Sequence, residues 1–126
     1  MVATRYFTPY EAEKTLPLVR KIVKDILDTT KEMRLFADDL GGEIDGNEQI
    51  KKMAGKVERF FNELEEIGCL YKDWNFTIGL VDFPSVIDSR EVYLCWRSDE
   101  DRIKYYHGIE EGYANRKIIP ESYLNN

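Results

Sequence analysis

Residues 79–97 read GLVDFPSVIDSREVYLCWR, two apolar runs separated by the polar pair Asp88-Ser89. In residues 90–97 large apolar side chains stand at every second position, which is typical of a β-strand with two different faces. Pro84 and the pair Asp88-Ser89 are turn formers that separate residues 90–97 from the preceding apolar residues, as the turns of an antiparallel sheet would. This stretch decides the fold class, because it places a sheet after a chain that begins with helical periodicity.

The predicted sheet extends on both sides of that stretch. We predict antiparallel strands over residues 76–81, 90–97 and 102–107, which are rich in β-branched and aromatic side chains. The sheet is expected to have three to four strands within about residues 70–108. Residues 109–126 show no clear period and are expected to form a loop with a mobile end.

Two amphipathic helices are predicted before the sheet. Apolar side chains recur at intervals of three and four over residues 16–40 and 50–67, and glycines break the pattern between them. Gly68 stands where a left-handed C-terminal cap is wanted. The fold class is therefore α+β: a long antiparallel helical hairpin, about residues 8–67, packed on a small antiparallel sheet. A chain of 126 residues is expected to form a single domain.

The N-terminal segment contains a helix-start signal followed by a proline. Thr8, Pro9 and Glu11 match a capping box with proline at the first helical position. Pro17 is expected to end this short helix, because a proline inside a helix loses a hydrogen bond and clashes with an earlier carbonyl. We therefore expect a kink near Leu16, with a second, longer helix starting after it.

The length of the hairpin predicts self-association. At 1.5 Å per residue the two helices are each roughly 30 to 36 Å long, which exceeds what a small sheet can cover. The uncovered apolar stripes predict a homodimer that buries helix surface.

The composition narrows the classes of partner. Asp and Glu outnumber Lys and Arg by 24 to 18, and the net charge is −6, which disfavours binding to nucleic acid through phosphates. No signal peptide or transmembrane stretch is evident, so we expect a cytoplasmic protein with no membrane partner. The two cysteines have apolar neighbours and are expected to be free thiols.

Five polar residues of the predicted sheet region are candidates for a ligand-binding site. They are Asp82, Arg90, Cys95, Arg97 and His107. His107 is the only histidine and suits a general base or a ligand, although a hydrogen-bonded structural imidazole is the alternative. The arginines suit a small anion, or else an Arg–Asp ladder between strands.

Catalysis and metal binding have weaker support from the residue pattern. Cys95 and His107 lie on neighbouring predicted strands and suit a thiol nucleophile, but a buried, inert Cys95 is the alternative. Asp82 is expected to pair with an arginine across the sheet, and Asp73 suits an Asx turn. The alternative is a carboxylate-rich pocket for Mg²⁺ or Mn²⁺, formed by these two residues with Glu91, Glu110 and Glu111, although their spacing matches no known loop. One histidine and two distant cysteines give no close ligand pair, so no metal site is predicted and no cofactor is assigned.

Four segments together resemble a known family. FTPYEAEKTLP at the start, GLVDFP, REVYLCWR and YYHGIEEGY resemble the domain-of-unknown-function family 2203 of bacterial and archaeal proteins, over roughly residues 7–116. The resemblance implies a soluble, intracellular, single-domain protein and brings no activity with it. The family tends to have Asp-Gly where this chain has Asp88-Ser89, which makes a tight turn less favourable, since serine tolerates positive φ poorly.

Two functional hypotheses follow. The first is a non-catalytic interaction or assembly module that associates with itself through its helices, because no catalytic constellation is evident. The alternative is a small enzyme, or a ligand- or metal-binding protein, that uses the polar cluster on the sheet.

Overall fold

The structure, a computed structural model, describes residues 5–73 and 75–124. Helices α1 (Pro9–Asp39) and α2 (Glu48–Ile67) precede an antiparallel sheet, which confirms the α+β fold. The strands are β1 (Leu70–Tyr71), β2 (Leu80–Ile87), β3 (Arg90–Arg97), β4 (Tyr105–Gly108) and β5 (Lys117–Ile118), in that order across the sheet.

The described part of the chain has five strands, so the predicted count of three to four is wrong. The strands β1 and β5 are two residues long, too short to produce a visible alternation of apolar and polar side chains. The segment expected to be a loop contains β5 and two short 3₁₀ helices, Tyr113–Asn115 and Glu121–Tyr123. The mobile end expected there includes residues 125 and 126, which lie outside the described residues.

Helix α1 starts where the sequence predicts and then continues through Pro17. Thr8 Oγ1 accepts a hydrogen bond from the Glu11 amide at 3.1 Å, and Glu11 Oε1 accepts one from the Thr8 amide at 2.9 Å. The predicted start of a second helix is wrong: α1 runs as one helix to Asp39, and Thr15 Oγ1 donates back to the Glu11 carbonyl. Pro17 lies on the exposed side of α1, while its neighbours Leu16 and Val19 are buried in the core. Burial of these apolar side chains outweighs the cost of a proline inside the helix.

The core lies between the helices and one face of the sheet. It joins Val19, Val23 and Ile26 of α1 to alternate side chains of β2 and β3, among them Phe83 and Trp96. Among the described residues of α1 none after Thr30 is buried, so the far half of the hairpin extends past the sheet. Neither helix carries an apolar stretch long enough to cross a bilayer.

The turn between β2 and β3 is the tight two-residue type. Ile87 pairs with Arg90, and both Asp88 (φ 52°) and Ser89 (φ 64°) adopt positive φ. Tyr123 holds this turn: its hydroxyl accepts from the Asp88 amide at 3.0 Å and donates to Asp88 Oδ1 at 2.9 Å. The departure from Asp-Gly therefore leaves the turn type intact.

Candidate functional site

Strand pairing brings three of the five candidate residues together on the sheet face that points away from the helices. Asp82 on β2 lies opposite Cys95 on β3, and His107 on β4 lies opposite Tyr93 on β3. Because side chains alternate along a strand, these residues share the face opposite to that of the core residue Trp96. Asp82, Cys95 and His107 are each at most 3% exposed.

A cavity of about 300 Å³ opens onto this cluster. Strand residues line one side of it, and residues 111–113 line the other. The residues that line it are Lys72, Leu80, Asp82, Cys95, His107, Glu111, Gly112 and Tyr113. The three buried polar side chains therefore border a space of the size that a small molecule needs.

The contacts of His107 fix which of its ring nitrogens carries a proton. Nδ1 lies 2.9 Å from the Gly108 carbonyl oxygen, which can only accept, so Nδ1 donates. Nε2 lies 3.1 Å from both carboxylate oxygens of Asp82. One further proton is therefore shared between Nε2 and the Asp82 carboxyl group, because two facing lone pairs would repel.

The surroundings raise the pKa of Asp82. Burial is the main cause, and the neighbouring His107 and Lys72 act in the opposite direction. The predicted arginine partner for Asp82 is wrong, since its partner is His107. Burial and the nearby Asp82 also raise the pKa of Cys95 to about 12, although Arg116 opposes this rise.

This geometry does not support Cys95 as a nucleophile. A thiol with a pKa near 12 is protonated at neutral pH and so is a weak nucleophile. The base that would activate it is His107, but both ring nitrogens of His107 already face other partners. Cys95 and His107 are neighbours without the nucleophile–base contact that such catalysis requires.

The two candidate arginines lie outside the buried cluster. Arg97 makes a two-point contact with Asp99, with both N···O distances 2.6 Å, and also donates to the hydroxyl of Tyr113. It thus reaches the cavity only through Tyr113. Arg90 is exposed next to the turn between β2 and β3 and is not among the residues that line the cavity. Arg97 therefore pairs with Asp99, two positions along the chain, and does not form the Arg–Asp ladder between strands that was the alternative to an anion site.

Sequence reasoning missed Arg116, which is the most enclosed cation near the cluster. Its guanidinium lies 4.2 Å from the Tyr105 ring centre and 4.3 Å from that of Tyr113, and Nη1 is 3.0 Å from Glu100 Oε1. It also lies close enough to the Cys95 thiol to oppose the rise of that group's pKa. No periodic pattern marks residues 109–116, so no signal in the sequence placed Arg116 near the cluster.

Asp73 has a structural role, as the Asx-turn interpretation predicts. Its Oδ1 accepts from the Asn75 amide at 3.1 Å, and Oδ2 accepts from the amides of Thr77 and Ile78 at 3.0 Å. These bonds explain why the carboxylate is buried. Asp73 is not part of the cavity cluster.

The donor set and spacing of the cluster fit a metal ion. One carboxylate oxygen, one thiol sulfur and one imidazole nitrogen all lie within 4.8 Å of one another. Zinc ligands at about 2.0 to 2.3 Å from the ion stand roughly 3.3 to 3.7 Å apart in a tetrahedron, so a closure of about 1 Å suffices. The bond from Nδ1 to a backbone carbonyl is the arrangement that presents Nε2 to a metal.

These features define a class of protein: a helical hairpin on an antiparallel sheet, with a buried Asp–Cys–His cluster on the outer face. Residues 5–119 match the model of the family described as "Uncharacterized conserved protein (DUF2203)", and the chain belongs to that family. No curated protein and no solved structure matches the chain.

Proposed function

We propose that this protein binds a transition metal ion, zinc being the best fit, through Asp82, Cys95 and His107. The observation that carries the proposal is that three potential ligand atoms within 4.8 Å of one another border a single cavity. The proposal develops the ligand- or metal-binding alternative of the sequence analysis. It departs from the prediction made there from ligand spacing, which is that the chain has no metal site.

The chemistry of the donors selects the ion. Zinc takes thiolate, imidazole and carboxylate ligands, whereas calcium and magnesium take oxygen ligands almost alone. Sites with three protein ligands leave a fourth position for water or substrate, and here all three candidate ligands line a cavity that could supply it.

Charge balance also favours a cation at this place. The cluster holds a thiol and a shared proton on two buried groups. A divalent ion would replace both protons, and the site would then carry two anionic ligands, one neutral imidazole and no net charge. The raised pKa of the thiol lowers the affinity at neutral pH, but a coordinating metal deprotonates a thiol directly.

The open position supports metal-assisted chemistry on a small molecule. A zinc ion with three protein ligands lowers the pKa of bound water towards about 7 and polarises a carbonyl or phosphoryl oxygen. The chain supplies the pocket that would admit such a substrate, and Lys72 and Glu111 stand at its wall.

Zinc titration of the metal-free protein tests the proposal. Isothermal titration should give one site per chain, and the thermal midpoint should rise with zinc concentration, since a ligand that binds the native state stabilises it. Cys95→Ser and His107→Ala should abolish the site. The matched control is Cys69→Ala, which removes the other buried cysteine and should keep it. Binding that survives Cys95→Ser in a folded protein would contradict the proposal.

We also propose, as a second candidate function, that the helices mediate self-association. The C-terminal end of α1 supports it: Leu35 is 57% exposed, and Met33, Phe36 and the C-cap residue Leu40 are only half-buried. Such side chains lose contact with water when a second copy packs on the hairpin.

Sedimentation velocity tests this second candidate. Wild-type protein should sediment as a dimer, and Leu35→Lys should give a monomer with unchanged helix content. Leu18→Lys is the control, because Leu18 is 53% exposed on the same helix but about 25 Å away along its axis. A monomeric wild type at high concentration would contradict self-association.

A further inference from the structure

The cavity beside the cluster contains a cation that has no ion-pair partner in the described chain. Among the described residues that line the cavity, Lys72 is the one that carries a positive charge, and none of the salt bridges found within residues 5–73 and 75–124 involves it. Its Nζ lies 5.7 Å from the Tyr93 ring centre, on the same sheet face as His107. The backbone of Lys72 is fixed, because its amide donates to the Leu80 carbonyl at 2.7 Å.

The opposite charge at the cavity wall is already engaged. Glu111 Oε1 accepts from the Gly108 amide at 2.8 Å, and Lys117 Nζ is 4.0 Å from the same oxygen. Glu111 is therefore partly neutralised by its own neighbours, whereas Lys72 forms none of the salt bridges found among the described residues, and the Asp82 carboxyl group acts on it only at longer range. With a metal ion to neutralise Asp82 and Cys95, the remaining ammonium of Lys72 favours an anion in the cavity.

The shape of the cavity limits the size of that anion. Its volume of about 300 Å³ is at the lower end for ligand pockets, which suits a metabolite and not a polymer. Gly112 also lines the cavity, and a Cβ at this position would have no atom within 4 Å. The cavity wall at Gly112 is therefore not closely packed.

We propose that the cavity binds a small oxyanion, a carboxylate or a phosphate, with one oxygen on the metal ion and another on Lys72 Nζ. The inference rests on the proposed metal site and names the class of ligand that this site takes. A hard anionic oxygen completes the coordination of zinc, and an ammonium is a common partner for phosphate and carboxylate. Both ligand types share this chemistry, so the experiment must distinguish them.

Cobalt(II) gives separate readouts for the metal and for the anion. The near-ultraviolet charge-transfer band of a cobalt–thiolate bond reports that Cys95 holds the metal, and the visible d–d bands report the fourth ligand. Cobalt-loaded protein is titrated with sodium acetate and, in parallel, with inorganic phosphate. We expect a saturable change of the visible bands with at least one anion while the thiolate band persists, which also shows that the anion has not removed the metal.

Variants of Lys72 connect that change to the cavity. Lys72→Ala should lower the affinity for the anion by about tenfold or more, because a charge-assisted hydrogen bond is lost, and should leave the cobalt affinity unchanged. Lys72→Arg should keep most of the wild-type affinity for the anion. Lys104→Ala is the control, since Lys104 is an exposed lysine that faces Asp101 outside the cavity.

The outcomes separate the two proposals. Absence of the thiolate band overturns both the metal site and the oxyanion site. A thiolate band without any change on adding acetate or phosphate overturns the oxyanion site alone. Equal anion affinity in Lys72→Ala and wild type also overturns it, because the anion would then bind the metal without Lys72.

Discussion

His107 on β4 reaches across β3 to Asp82 on β2, with Nε2 3.1 Å from both carboxylate oxygens and both residues buried. Both groups are buried, so each depends on the other for this hydrogen bond. Burying a polar group without a partner is costly, whereas exchanging one hydrogen-bonding partner for another is much less so. That asymmetry gives the first prediction.

His107→Ala should destabilise the metal-free protein far more than Asp82→Asn. The alanine leaves a buried carboxyl group without its partner, a loss of about 3 to 5 kcal/mol. In Asp82→Asn the side-chain amide donates to Nε2 while Nδ1 still donates to Gly108, so the cost is about 1 kcal/mol. Urea unfolding at pH 7 with a chelator measures both. Equal losses in the two variants would contradict this account of the pair.

The turn at Asp88-Ser89 should be improved by glycine at its second position. Ser89 has a φ of 64°, a region that costs a side-chain-bearing residue roughly 1 kcal/mol, so Ser89→Gly should raise the free energy of unfolding by about that amount. Asp88→Gly is the comparison: it relieves a φ of 52° but removes the carboxylate that accepts from Tyr123, so it should gain less. Denaturant unfolding ranks the two, and a larger gain from Asp88→Gly would refute the role of Tyr123.

Gly79 should tolerate no side chain while Val23 is present. A Cβ at position 79 would lie 2.2 Å from Val23 Cγ1, and Val23 is 1% exposed in the core. Gly79→Ala should therefore cost about 1 to 3 kcal/mol from overpacking. In a double-mutant cycle, Val23→Ala should remove most of that cost, because it deletes the clashing methyl group. Additive losses would mean that the strain comes from the backbone instead.

Cys69 should make stability fall at alkaline pH. Burial raises its pKa from 9.0 to about 12, so the thiol stays protonated in the native state after it ionises in the unfolded state. The stabilising effect is complete below pH 9 and is lost as the pH rises towards 12, at up to about 1.4 kcal/mol per pH unit. The penalty of Cys69→Ala, measured by urea unfolding, should thus shrink between pH 8 and pH 10.5. A pH-independent penalty would contradict it.

Local pattern was sufficient for the helices and for the central strand. The capping box at Thr8 and Glu11, the left-handed Gly68 and the bounds of β3 at residues 90–97 all appear where the sequence predicts them. These features depend on residues within a few positions of one another, so their signals lie within a short window.

Where local and tertiary effects compete, the sequence predicted the wrong result. Pro17 disfavours a continuous helix, yet α1 continues because the side chains around it are buried against the sheet. The strands β1 and β5 exist only because β2 and β4 offer them hydrogen-bonding edges. Packing energies that involve distant segments decide both cases, and no local window contains them.

The sequence by itself determined the class of fold, the helical hairpin and the list of five candidate polar residues. Only the tertiary structure decided which of them meet: it joins Asp82, Cys95 and His107, leaves Arg90 at the hairpin end and ties Arg97 to Asp99. The physical reason is register. A slip of one residue in either strand pairing would turn a member of the cluster to the opposite face, and register is fixed by the turn at Asp88-Ser89 and by burial of the core-facing side chains of β2 and β3.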